Sequence, residues 1–225
     1  YTGDLGRPDL PILRDPQPVS DVDYLIIEST YGGRFHGTVM NAEHELRRVV
    51  NETHARGGKV IIPAFSVGRT QEVVYALHRL TLAEEIPDLP IYVDSPLSTN
   101  ATEVFRLHPE YYDADTYQFM LKYRDPFGSS RLRYIRHVEE SKALNGRRDP
   151  MIIISASGMC EHGRILHHLK NNIEDPRNTV LFVSFQAEHT LGRRIRDGAK
   201  EVPILGERFQ VRARVEAIDG YSAHA

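Results

Sequence analysis

The sequence has no tryptophan and a single cysteine, Cys160. No internal disulfide framework can hold such a chain together, and a reducing, cytoplasmic setting is expected. Also missing is any apolar run near the roughly 20 residues that a membrane helix needs, and the N-terminus lacks a signal-peptide order of charges and apolar residues; no membrane partner is expected. An excess of basic residues is absent too. With 28 Lys and Arg against 31 Asp and Glu the net charge is −3, so any site for a polyanion has to be a local patch. There is no internal repeat and no low-complexity segment. What is present is the composition of a globular protein, 40% hydrophobic and 26% charged over 225 residues, ample for a packed core in one ordinary domain or two small ones. Tyr1 stands where an initiating Met would, and the C-terminus falls inside a motif-like segment. The chain therefore reads as an internal piece of a larger protein.

Strand and helix signals alternate through the middle. Short apolar runs at Leu25 to Ile27, Val60 to Ile62, Ile91 to Val93, Met151 to Ile154 and Val180 to Val183 predict buried strands, with a weaker one at Tyr134–Ile135. Helical spacing predicts helices over 41–56, 70–80, 164–171 and 191–196, one from a Ser98 cap toward Arg106, and an aromatic-rich one over 111–123. Asn145-Gly146 reads as a turn, and the alternation from Phe209 to Ala217 as a half-exposed antiparallel strand. The pattern predicts an α/β fold with a mostly parallel sheet flanked by helices, the first and last stretches being candidates for a second unit.

Several residues could carry chemistry. Glu28 follows an apolar run, at the kind of strand lip where open α/β sheets place their sites. With His224 it could form an acid–imidazole pair that keeps a proton available near neutrality. The plainer alternative, a surface glutamate and a tail histidine that never meet, is favoured by the residues alone. Asp4, in a Gly-Asp-Leu-Gly turn, could ligate a metal, although a turn aspartate bonding its own backbone explains it as well or better. Ser66, Gly68 and Arg69 after one strand, and Ser157 and Gly158 after another, could form an anion-binding edge of free backbone N–H groups with Arg69 as a bidentate donor. Strand-to-helix turns favour Ser and Gly anyway, so the two readings stand level. The clusters Arg131/Arg133/Arg136 and Arg193/Arg194/Arg196 read mainly as solvated faces. His167-His168 and Glu161-His162 are rejected as metal ligands, and Cys160 reads as a buried small hydrophobe.

Taken in order, five segments resemble the β-CASP branch of the metallo-β-lactamase superfamily: Thr2 to Gly6, Ile26 to Gly32, Ile62 to Glu72, Ser155 to Met159 and Ile218 to His224. The resemblance is nearest to its RNA-processing nucleases. It implies a zinc-dependent hydrolase of single-stranded RNA holding two zinc ions, with Asp4 as a metal ligand. Glu28 would be the acidic residue of motif A and His224 the histidine of motif B, together protonating the leaving oxygen. Ser66 to Arg69, Ser157-Gly158 and Ser222 would lie near substrate phosphates. The upstream His-x-His-x-Asp-His signature and the motif C histidine are not in this sequence, so the piece alone is expected to be inactive. Residues 1–32 and 206–225 would belong to the metallo-β-lactamase domain and 33–205 to the cap domain, and the resemblance leaves room for a homodimer. Two other readings stay open: a catalytically inactive scaffold or RNA-binding subunit of the same fold, and a plain nucleotide-binding α/β domain.

Overall fold

The computed structural model describes residues 1–6, 8–30, 32–33 and 39–221. The short apolar runs become strands because only a parallel sheet covered on both faces can bury every one of their side chains. In chain order the strands are β1 (Val60–Pro63), β2 (Ile91–Asp94), β3 (Leu132–Tyr134), β4 (Ile152–Ser155), β5 (Thr179–Phe182), β6 (Glu201–Ile204), β7 (Glu207–Gln210) and β8 (Arg214–Ala217). All four residues of β1, β2, β4 and β5 are buried. Six strands form one parallel sheet in the order β3-β2-β4-β1-β5-β8, while β6 and β7 make a separate antiparallel hairpin. Register is level across the centre. Pro63 and Asp94 both pair with Ser155, so β1, β2 and β4 end on one line.

The helices are α1 (Val39–Ala55), α2 (Arg69–Leu82), α3 (Pro96–Leu107), α4 (Ala114–Tyr123), α5 (Val138–Gly146), α6 (Ile165–Asn172) and α7 (Leu191–Arg196). Alternate strand residues divide them into two layers. Val60, Ile62, Val93, Ile152, Ile154 and Leu181 pack with Leu46 and Val50 of α1 and with Val73 and Leu77 of α2. Ile61, Tyr92, Ile153, Val180 and Phe182 pack with Leu144 of α5, Leu169 of α6 and Ile195 of α7. Each fully buried aliphatic side chain contributes about 1.5–3 kcal/mol by leaving water, which makes this double-faced burial the main support of the sheet.

Some expectations need correction. Leu25, Ile26 and Ile27 are 56%, 67% and 54% exposed and form no strand. The Thr2 N–H donates to the Ile26 carbonyl, but no strand lies beside this run among the described residues. The cap of α3 is Ser95, whose Oγ accepts from the Ser98 N–H at 3.1 Å; Pro96, with its preset φ, is the first helical residue. The helix of the aromatic stretch starts at Ala114, because the Asp113 carboxylate accepts from the Thr116 N–H at 2.6 Å and begins it there. Asn145-Gly146 closes α5 and is not a free-standing turn. Finally, 209–217 is no single antiparallel strand. Phe209 and Gln210 belong to the hairpin, the N–H groups of Arg212 and Ala213 both donate to the Ile173 carbonyl, and β8 then pairs parallel to β5. Alternation reports a half-buried strand, and says nothing about the direction of its partner. Thus β8, within 206–225, completes the same sheet as β1 to β5.

Candidate active site at the strand ends

Two clusters of sequence-predicted residues come together. The first joins the ends of the N-terminal stretch. Glu28 Oε1 accepts the Leu5 N–H at 2.6 Å and its Oε2 accepts the Thr30 hydroxyl at 2.7 Å. The carboxylate is therefore oriented by both of its oxygens, one of them against the turn that carries Asp4. Asp4 is exposed. Among the described residues no group of three or more His, Cys, Asp or Glu side chains could hold a metal ion. Asp4 and its described neighbours therefore do not by themselves make a metal centre. Tyr31, Ser222 and His224 lie outside the described residues.

The second cluster is built from the level ends of β1, β2 and β4. The loop 64–68 leaves β1 and enters α2 through Gly68, whose φ of +79° is one that side chains disfavour. That loop is tied from below. Thr70 Oγ1 donates to the Phe65 carbonyl at 2.7 Å, and Gln71 Nε2 reaches the carbonyls of Ser66 and Ser98 and the Thr102 hydroxyl. Ser66 Oγ lies 3.3 Å from Ser95 Oγ at the end of β2. The β4 exit loop folds on itself: Ser157 N–H donates to the His162 carbonyl, and Ser157 Oγ accepts the Glu161 N–H at 3.1 Å. The loops touch where Gly158 meets Phe65; a Cβ at Gly158 would lie only 3.0 Å from the ring. From the far side Gln186, beyond β5, donates to the Gly158 carbonyl at 2.8 Å. Ser66, Ser157 and Gly158 thus share one edge, beside the place where the connections from β1 and β5 diverge to opposite sides.

Arg69 is on this edge but turned inward. It is 7% exposed, donates to Glu72 one turn along α2, and lies over the Tyr221 ring at 5.8 Å. Several other arginines are also paired: Arg193 with Asp197, Arg196 with Asp219, Arg131 with Asp88. The rejected metal candidates have other partners, Glu161 accepting the Leu191 N–H and His168 bonding to Asp94. Cys160 is buried, and burial pushes its thiol well above the ordinary range.

The residue that sequence reasoning misses is Asp94. It ends β2 with no exposure, accepting from Ser141 of α5 at 2.5 Å, from Arg164 at 2.7 Å and meeting His168 Nε2 of α6 at 2.6 Å. Ser155 Oγ also donates to its backbone carbonyl at 2.8 Å. Burial works against its charge, but the hydrogen bonds from His168, Ser141 and Arg164 prevail and hold its pKa below the ordinary 3.8. Arg164 continues to the Arg136 carbonyl, so the carboxylate ties β2, α5, α6 and the chain after β3 together, and the backbone carbonyl of the same residue adds β4. A carboxylate at a strand end, the feature that singles out Glu28, is the signal that would have found it.

A family profile described as the Beta-Casp domain matches residues 70–195. The chain is 38% identical over all of its length to "Ribonuclease TTHA0252" of Thermus thermophilus, spanning 52% of that protein. It is 36% identical over 91% of its length to "Transcription termination factor FttA" of Methanosarcina mazei, spanning 33% of it. To "RNase J-like protein" of Methanocaldococcus jannaschii it is 35% identical over its full length, spanning 52% of that protein. It therefore spans between a third and about half of the relatives it matches. The matched profile covers β2 to β5 and most of the helices, more than half of the chain, and establishes that the chain belongs to the β-CASP family of metallo-β-lactamase-fold proteins.

Proposed function

We propose that the protein containing this chain hydrolyses phosphodiester bonds in single-stranded RNA, with the sheet of β1 to β5 as the cap over the site. The observation that carries the proposal is Glu28, fixed by the Leu5 N–H and the Thr30 hydroxyl beside the Asp4 turn. A carboxylate beside an imidazole favours the charged form of the ring. It would keep the His224 ring protonated and aimed, so that the ring delivers its proton to the departing 3′ oxygen. Phosphodiester cleavage expels a poor leaving group, which is why a positioned acid is worth about 10²–10⁴-fold in rate. The names of the ribonuclease relatives support RNA as the substrate.

Asp4 is the described residue assigned to the metal by the family resemblance. In this reading the ions are two zincs, which would supply charge neutralisation at the phosphate when bound. Ser66, Ser157 and Gly158 would line the path of the strand along the cap edge, and a reducing, cytoplasmic setting suits the lone buried thiol. The test is a cleavage assay on end-labelled single-stranded RNA with full-length protein, with and without a zinc chelator. Cleavage that requires the metal is expected. A wild-type protein that binds zinc and leaves the RNA intact would overturn the proposal.

A further inference from the structure

We infer that Arg69 is a positioning residue for the segment that carries His224, and not a contact to RNA phosphate. The inference rests on the proposal that RNA is cleaved at the site of Glu28 and His224. An arginine after a Gly-containing strand-end loop looks made for a phosphate, but this one is not available to it. The side chain is 7% exposed and its guanidinium is engaged on two sides, by the Glu72 carboxylate and by the face of Tyr221. Turning it toward solvent would pull the cation off a carboxylate that is itself only 8% exposed, an arrangement that resists removal of one partner.

Tyr221 shows what the guanidinium holds. It is fully buried, and no other fully buried side chain among the described residues is larger. Its turn, 219–221, packs against α1, and the next three residues are Ser222, Ala223 and His224. The Tyr221 hydroxyl and Arg69 Nε both lack a hydrogen-bond partner among the described residues. The face of the ring is the seat of the guanidinium. Arg69 is also the first residue of α2, directly after the loop of Ser66. One side chain thereby links the cap edge to the residue from which the His224 segment departs. A shift of about 1 Å there would be felt in the rate, because misplacing a reacting group by that much can cost ~10²-fold.

The test uses full-length protein and five variants: Arg69→Lys, Arg69→Met, Tyr221→Phe, Tyr221→Leu and the double Arg69→Lys/Tyr221→Leu. Kinetics on labelled single-stranded RNA are read as separate kcat and KM, with RNA binding measured against salt. Arg69→Lys keeps the charge but loses the flat stacking surface, and Tyr221→Leu loses the ring. Each is expected to lower kcat by about 10- to 100-fold with KM nearly unchanged. The double variant should be no worse than the poorer single, and Tyr221→Phe should match wild type. The salt slope of RNA binding should not change for Arg69→Lys or Arg69→Met. A raised KM at unchanged kcat, with about one ion lost from the slope in Arg69→Met, would make Arg69 a phosphate contact and overturn the inference. If wild type fails to cleave RNA, the hydrolase proposal falls separately. A double-mutant unfolding cycle with Arg69→Lys and Tyr221→Leu then decides alone, and independence of residues 69 and 221 in that cycle overturns the inference.

Discussion

Replacing Asp94 by alanine removes the shared acceptor of three donors at once, two of them buried. Its carboxylate has no exposure, Arg164 is 2.7 Å away on one oxygen, and His168 and Ser141 lie at 2.6 and 2.5 Å on the other. Deleting one member of a buried ionic network leaves the remaining polar groups facing a void, which costs about 3–5 kcal/mol. For a domain of this size each kcal/mol lowers the midpoint by about 2–4 °C, so a fall of roughly 6–20 °C is expected. Ser141→Ala removes a single donor and should cost less, about 1.5–3 kcal/mol for a hydrogen bond to a charged group. The assay is thermal unfolding of the intact protein at pH 7, followed by circular dichroism. An Asp94→Ala midpoint within a degree or two of wild type would show that the carboxylate does not hold these elements together. So would Ser141→Ala falling as far as Asp94→Ala, because the carboxylate would then not be the hub.

Three further outcomes follow from the same structure. Because the folded pKa of Asp94 is depressed, its ionisation contributes stability that is present above the ordinary value of 3.8 and is lost as pH falls through the lower folded value. Acid titration of stability below about pH 4 should therefore be steeper for wild type than for Asp94→Ala; equal slopes would contradict this. Gly158→Ala would force the Phe65 ring, 3.0 Å from the new Cβ, to move and disturb the Ser66 loop. A loss of about 1–3 kcal/mol is expected in denaturant titration, and an unchanged midpoint would show that the loops do not pack as described. Cys160 is buried with its thiol pushed up, so it should resist a chromogenic disulfide reagent in the native protein and react once denaturant is added.

The central sheet is legible in the sequence because β1, β2, β4 and β5 are bare apolar runs that have no other way to be buried. The β8 strand is different: its alternation from Val211 to Ala217 fits either direction, and only the position of β5 decides. Helix α5 escapes because it buries little more than Ser141 and Leu144, and its tether to Asp94 is a contact across 47 residues. The same distance in sequence hides the Asp94 hub, whose members at 94, 141, 164 and 168 are related by a helical spacing only at 164 and 168. Arg69 shows the opposite case. Its residue type suggests a phosphate donor, whereas Glu72 three residues along a predicted helix is the stronger local signal for a pair. Leu25 to Ile27 are apolar enough for a strand and lack a neighbour to pair with among the described residues.

In the proposed reaction Glu28 and His224 act as one unit on a proton. Its most direct measurement compares kcat for RNA cleavage by full-length wild type, Glu28→Gln, His224→Ala and the double variant. Residues that work as a unit are grossly non-additive, so His224→Ala is expected to lose about 10²–10⁴-fold and the double variant no more than that. Losses that multiply in the double variant, or near-normal cleavage by His224→Ala, would contradict it.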